Sequence, residues 1–117
     1  MNPTPQNLLE LTRNIQERHV NFAVSDVNSH VLRIAVMTGN YRWHFHPDSD
    51  ELFMVLEGEL FIDFEDGTTT SLKANDTLTV PAGTVHRTRA DVRTVNLCFE
   101  AKEAETVFVD EPAGRDK

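Results

Sequence analysis

Short β-type segments separated by turn residues fill most of this sequence, and they constrain its fold more than any other feature. From about residue 22 onward, β-branched and aromatic residues recur in runs that are typical of strands. Turn formers such as Asp66-Gly67 and Asn75-Asp76 stand at the junctions. The predicted strands cover residues 31–37, 41–46, 51–56, 60–64, 69–72, 77–80, 84–88 and 92–99. So many closely spaced strands in a small domain predict an all-β sandwich or barrel.

A short helix is expected ahead of these strands. Thr4 is followed by Pro5, which is typical of a helix start because proline tolerates the first helical position. Apolar residues then recur at helical spacing at Leu8, Leu11 and Ile15. The sequence therefore predicts one helix near residues 5–17.

The length of the chain predicts a single folded domain. It has 117 residues, and compact domains most often have roughly 100–150. We predict an N-terminal segment over residues 1–20 that contains the helix, a barrel domain over residues 21–110 and a flexible charged tail over residues 111–117.

The composition argues against several classes of partner. The formal net charge is −8, which repels nucleic-acid phosphates and anionic lipid head groups. The longest apolar run, residues 52–56, is far shorter than the ~20 residues that a membrane-spanning helix needs. No secretory signal is evident, so we expect a cytoplasmic protein. Cys98 is the only cysteine, which excludes an internal disulfide and a thiolate-rich metal site.

The distribution of histidines predicts a metal site. His44 and His46 lie in one predicted strand, where alternation directs both imidazoles to the same face. A turn then brings Glu51 to the start of the next strand, and a closed β-structure can bring His86 across the interior. Imidazoles and a carboxylate are the ligands of non-haem iron and related ions. The alternative is an exposed His-x-His pair that only contacts solvent.

Two motifs resemble those of the cupin superfamily. Residues 39–58, GNYRWHFHPDSDELFMVLEG, are similar to its first motif, and residues 75–86, NDTLTVPAGTVH, are similar to its second. Asn75 stands where the second motif usually begins with glycine. The resemblance implies a small single-domain, RmlC-like cupin, whose fold is a double-stranded β-helix or jelly-roll barrel. It also implies that one divalent transition metal (Fe, Mn, Ni, Co or Zn) is bound by the interior ligands His44, His46, Glu51 and His86.

The resemblance leaves the reaction open, because cupins include dioxygenases, isomerases, epimerases, decarboxylases, lyases and modules that only bind ligands. Strand alternation predicts the substrate-binding residues Arg42, Phe53, Val55, Thr84 and Thr88. Such a pocket suits a small carboxylate or carbonyl compound that chelates the metal, with Arg42 pairing a negative group. We expect a ligand of this kind, and a dioxygenase is one enzymatic interpretation. The alternatives are a non-catalytic ligand- or metal-binding module and a sugar isomerase or epimerase, for which few acid–base residues are in view.

The same alternation predicts an apolar outer surface. The residues expected to point outward are Tyr41, Trp43, Phe45, Leu52, Met54 and Leu56. A patch of this size must be covered, and the predicted helix offers only a narrow apolar stripe. We therefore expect a homodimer with Trp43 and Met54 near the centre of its interface. The alternative is that these residues pack under the helix and loops of their own chain.

Overall fold

Nine strands and one short helix, joined by turns and loops, form the structure of this chain. This computed structural model describes residues 2–113. The helix, α1, spans Leu8–Thr12. The strands are β1 (His19–Val27), β2 (His30–Asn40), β3 (His44–Phe45), β4 (Glu51–Glu57), β5 (Glu59–Phe64), β6 (Thr69–Lys73), β7 (Thr77–Val80), β8 (His86–Ala101) and β9 (Val107–Phe108). The all-β prediction with a short N-terminal helix is confirmed. Residues 114–117 of the predicted tail lie outside the described residues.

Helix α1 is shorter than predicted and begins later. Asn7, not Thr4, is the N-cap, because its side-chain oxygen accepts a hydrogen bond of 3.0 Å from the backbone N–H of Glu10. The hydroxyl of Thr12 donates back to the carbonyl of Leu8 in the last turn. The cap that satisfies a free backbone N–H therefore sets the start of the helix, and the Thr4-Pro5 signal does not.

Strand β8 organises the sheet. It was predicted as two strands, residues 84–88 and 92–99, but it continues through the polar residues between them. All of its pairings are antiparallel. Strand β2 pairs with most of β8, from Arg89 to Ala101. Strand β4 pairs with the part nearer Ala101, and β5 and β3 pair with the part nearer His86. The nine strands thereby form one curled antiparallel sheet with a shared central strand.

The interior of the curled sheet contains the main hydrophobic core. Its buried members come from β2, β4, β5, β6, β7 and β8. They are Met37, Phe53, Val55, Leu60, Ile62, Leu72, Val80, Ala90 and Cys98. Side chains on the opposite face of the same strands cannot reach this core, because successive residues of a strand point to opposite sides.

A second, smaller core lies on the outer face of β1, β2, β8 and β4. Its buried members are Ile34, Val36 and Val95, and Leu8 and Ile15 of the N-terminal segment pack against them. Arg93 holds this segment in place, since its guanidinium donates to the backbone carbonyls of Thr12 and Ile15 and to the Glu57 carboxylate. The N-terminal segment thus covers part of the outer face, which the sequence-based reasoning had judged too large for it.

The outer patch of six apolar residues does not form as predicted. Tyr41 lines an interior cavity, and Trp43 is only 5% exposed beneath the guanidinium of Arg87. Leu52 and Met54 do lie on the outer face. The expectation of one continuous patch centred on Trp43 is therefore wrong, because β3 and β4 pair with opposite ends of β8.

No helix within residues 2–113 combines the length and hydropathy that crossing a bilayer would require.

Candidate metal centre

Four buried side chains from separate parts of the sequence converge in the interior. They are His44 in β3, His46 just after it, Glu51 at the start of β4 and His86 at the start of β8. Each offers one potential ligand atom, and these atoms all lie within 4.8 Å of one another. His44 and His86 are direct cross-strand partners, so β8 brings the distant histidine to the local pair.

Backbone hydrogen bonds fix the tautomer of all three imidazoles. The Nδ1 atoms of His44, His46 and His86 lie 2.8, 3.0 and 2.9 Å from the carbonyl oxygens of Arg42, Glu105 and Thr84. A carbonyl can only accept a hydrogen bond, so each Nδ1 carries the proton and donates it. In the neutral ring, Nε2 is then the nitrogen that carries the lone pair, as metal ligation requires.

The atoms at the centre of the cluster fit a bound cation. His46 Nε2, His86 Nε2 and Glu51 Oε1 are buried and have no hydrogen-bond partner within residues 2–113. Oε1 of Glu51 lies 3.2 Å from Nε2 of His46 and 3.6 Å from Nε2 of His86. Neighbouring ligands of a transition metal with ~2.1 Å bonds are separated by about 3 Å. A divalent ion would therefore satisfy polar atoms that are otherwise costly to bury.

The same proximity shifts the pKa values of the cluster. Burial lowers the pKa of His44 to about 4, so this imidazole is neutral at physiological pH. The Glu51 carboxylate raises the pKa of His46 to about 9. Burial alone would raise the pKa of Glu51, but the adjacent imidazoles of His46 and His86 outweigh it and lower this pKa to about 2. Without a metal, His46 and Glu51 are therefore an imidazolium–carboxylate pair.

A cavity of about 280 Å³ opens beside His44, His46 and Glu51. Among the predicted substrate-binding residues, Phe53 and Thr88 line it. Val55 is buried in the main core, and Thr84 contributes its backbone carbonyl to His86. Arg42 is exposed, and its guanidinium lies 3.8 Å from the centre of the Phe108 ring. The structure thus brings two of the five residues to the cavity wall.

The predicted orientations of Tyr41 and Arg42 are wrong. Tyr41 was expected outside, yet it lines the cavity and its ring meets His44 edge-on at 5.4 Å. Arg42 was expected inside and points to solvent. Regular strand β3 begins only at His44, so the alternation that was extended back to Arg42 does not apply there.

The sequence-based reasoning missed the wall of the cavity that β1, β2 and the end of β8 supply. Asn21, Arg33 and Glu100 line this wall, as does His19, which stacks on Tyr41. Oε2 of Glu100 lies 3.9 Å from Nε2 of His46, and burial, followed by the nearby Glu51, raises the Glu100 pKa. Alternation within the predicted strand 31–37 places Arg33 on the same face as Ala35, and this pattern was available from the sequence.

A double-stranded β-helix whose interior presents three histidines and a glutamate together defines a cupin-type protein. Residues 31–98 match the family model Cupin_2, described as a cupin domain. The chain therefore belongs to the cupin family, and the prediction of a small single-domain cupin is confirmed.

Relatives share both the sequence and the fold. The uncharacterized protein YdbB of Bacillus subtilis is 63% identical over 106 residues, which cover 91% of this chain and 94% of the relative. A cupin-2 domain protein from Shewanella frigidimarina superposes with a TM-score of 0.78 at 25% identity, covering 83% of this chain and 94% of the other. A double-stranded β-helix protein from Klebsiella pneumoniae gives 0.77 at 20% identity, covering 93% and 99%. The last comparison concerns the fold alone.

Proposed function

We propose that this cupin binds one divalent transition metal through His44, His46, Glu51 and His86, and that a small oxygen-bearing molecule binds beside it in the cavity. The observation that carries this proposal is a set of four potential ligand atoms, one from each residue, within 4.8 Å of one another, with each imidazole held by its own backbone carbonyl. Nitrogen and oxygen ligands without thiolate suit Fe, Mn, Co, Ni or Zn.

The residues around the metal position would hold and shape the ligand. Phe53 and Met37 make one part of the wall apolar, while Thr88 and Asn96 provide polar groups. The bound metal would supply Lewis acidity, or dioxygen activation where it is iron. A carbonyl or carboxylate compound suits such a site, since its oxygens are hard ligands.

Oxygen chemistry is the first enzymatic reaction that we propose to test, because it requires little acid–base help from the protein. Dioxygen consumption by the iron-loaded protein in the presence of candidate carboxylates would support it. The His86→Ala variant, treated with iron in the same way, is the matched negative control.

Proton transfer to the bound molecule is a second candidate reaction. One observation favours it: the Tyr41 hydroxyl and the Glu100 carboxyl belong to residues on the cavity wall, so more acid–base groups are present than predicted. Solvent deuterium entering a recovered ligand would support an isomerase or epimerase. A ligand that binds and is recovered unchanged in both assays would support a non-catalytic module.

The metal content of the untagged protein tests the proposal. Protein purified without added metal should hold about one ion per chain by elemental analysis. His44→Ala and His86→Ala should lose most of it, because each removes one of the four ligands. His19→Ala is the matched control, since this imidazole lies at the cavity edge and outside the ligand group. Stoichiometric metal in a His44→Ala/His46→Ala/His86→Ala variant would contradict the proposal.

We also propose a homodimer, now centred on Leu52 and Met54 instead of Trp43. Apolar side chains of β2, β4 and β8 stand side by side on the outer face, because Leu52 pairs with Phe99 of β8 and Phe99 pairs with Leu32 of β2. Leu52 is 37% exposed in the single chain. A cytoplasmic location stays a prediction from the sequence.

A further inference from the structure

Arg33 is a cation on the cavity wall that faces the metal ligands. It lies on the interior side of β2, half-buried, on the same face as Ala35 and Met37. Its Nε donates a hydrogen bond of 2.6 Å to the side-chain oxygen of Asn21 on the neighbouring strand β1. This bond fixes the plane of the guanidinium and leaves its two terminal nitrogens for another acceptor.

No carboxylate oxygen within residues 2–113 lies within 4 Å of the Arg33 guanidinium. The arginines on the outside of β8 differ in this respect: Arg87 and Arg89 lie 2.9 and 2.8 Å from Asp63, and Arg93 lies 2.9 Å from Glu57. Arg33 is also the only lysine or arginine among the described residues that line the cavity. In a chain of net charge −8, a half-buried cation without a carboxylate contact is a candidate anion-binding group.

The sheet register gives the span between Arg33 and the metal ligands. Arg33 pairs with Cys98 of β8, and Cys98 pairs with Phe53 of β4 on its other edge. Two strand spacings of ~4.8 Å put the backbones of Arg33 and Phe53 about 10 Å apart. Glu51 is the next interior residue of β4. The cavity of about 280 Å³ is at the lower limit of typical ligand pockets, so both groups are within reach of one small molecule.

We propose that the ligand of this cavity is a small carboxylate with two functional ends: an oxygen pair that binds the metal, and a second anionic group that pairs with Arg33. The identity of the metal-binding end rests on the proposed function. Arg33 carries the selectivity for the second anion, and Asn21 is its positioning residue. A loaded divalent cation and Arg33 together outweigh the negative charge of Glu51 and Glu100, so the cavity favours an anion.

Malate and lactate are suitable probes, because both are 2-hydroxy acids and only malate has a second carboxylate. Binding to the cobalt-loaded protein is measured by calorimetry, after the metal content of each variant has been determined. The unsubstituted protein should bind malate about tenfold or more tightly than lactate, the gain expected of a charged hydrogen-bonded pair. Arg33→Gln should abolish this preference, because it should weaken malate binding much more than lactate binding.

Matched variants separate the pairing from a change of fold. Arg42→Gln removes an exposed arginine outside the cavity and should retain the full preference. Arg33→Lys keeps the charge without the planar fork and should retain part of it. Asn21→Ala should reduce it without abolishing it. If Arg33→Gln does not fold, the lysine and Asn21→Ala variants decide.

The outcomes distinguish this inference from the proposed function. Protein that holds no metal contradicts the metal site, and malate binding by the metal-free protein then still tests Arg33. Protein that holds metal but binds malate no better than lactate overturns the inference alone. An equal loss of lactate and malate binding in Arg33→Gln would also overturn it, as would loss of the preference in Arg42→Gln.

Discussion

At the residue scale, the pair formed by His46 and Glu51 favours the metal-free fold and opposes metal binding. Their ion pair stabilises the metal-free fold, since the pKa of His46 is raised to about 9 and that of Glu51 is lowered to about 2. Metal binding needs the same imidazole in its neutral form. The proton that stabilises the empty site must therefore leave when a metal binds.

Metal affinity should consequently rise with pH up to about 9. In the metal-free protein His46 is protonated below that pH, so each bound ion releases one proton and affinity should increase about tenfold per pH unit. His44 adds nothing here, because its pKa of about 4 keeps it neutral. Cobalt titrations against a competing chelator between pH 6.5 and 8.5 measure this slope. A flat profile would contradict the ion pair.

The stability of the metal-free protein should change with pH in the opposite direction. The raised His46 pKa contributes stability that is complete below about 6.5 and is lost as the pH rises through about 9. The lowered Glu51 pKa contributes stability that is complete above about 4.5 and is lost as the pH falls toward about 2. Denaturant titrations should therefore show the pair's largest contribution between pH 4.5 and 6.5, and His46→Gln should remove the loss above it.

The four candidate ligands were predictable because their spacing lies within two recognisable motifs. The residues of the cavity wall were less predictable from the sequence. Alternation correctly placed Phe53, which lies in a regular strand, but it failed for Arg42, which precedes one. Arg33 was overlooked because its strand has no ligand in it, and only the β2–β8 register brings it opposite the site.

At the scale of elements, the β4–β5 turn depends on Gly58 and on Thr94 of β8. Gly58 has φ +89°, a conformation that side chains disfavour. Thr94 closes the turn from the facing strand: its hydroxyl donates to the carbonyl of Glu59 at 3.0 Å and accepts from the Glu59 N–H at 3.1 Å. The hairpin is thus tied to the central strand at its tightest point.

Alanine substitution at two glycines should separate backbone strain from steric overlap. A Cβ at Gly58 would lie 2.5 Å from the Thr94 hydroxyl and 2.7 Å from the Arg93 carbonyl. Gly83, with φ +82°, has nothing within 4 Å of the same position. Gly83→Ala should lower the free energy of unfolding by roughly 1–2 kcal/mol from strain alone, and Gly58→Ala by about 3 kcal/mol or more. Urea denaturation of the metal-free variants measures both, and equal losses would contradict the overlap.

The presence of the strands was predicted better than the residues at which they begin and end. Periodicity identified β4, β5, β6 and β7 within a few residues. It split β8 at residues 89–91, which were left between two predicted strands although the backbone stays extended there. It missed β9, whose two residues are a strand only through their pairing with β3. Pairing partners, which sequence periodicity does not reveal, decided these cases.

At the scale of the whole molecule, the outer face of β2, β4 and β8 is the surface that we expect to form the dimer. Leu52→Glu should produce monomers, because a charge there would have to be buried against a second copy. Val92→Glu is the control, since Val92 is 57% exposed and lies outside the rows that contain Leu52. Sedimentation velocity at tens of micromolar distinguishes the species. A monomeric unsubstituted protein, or a Leu52→Glu dimer, would contradict the expectation.

The central position of β8 determines when this chain can fold during its synthesis. Strands β2, β3, β4 and β5 all require β8 as a neighbour, so none has its full pairing before β8, which begins at His86, leaves the ribosome. At about 5–20 residues per second, the nascent chain carries unpaired apolar strands for several seconds. His86 is the first residue of β8, so His44, His46 and Glu51 cannot be joined by it earlier. Loading of the proposed metal would therefore be a late event, one that follows translation of the start of the central strand.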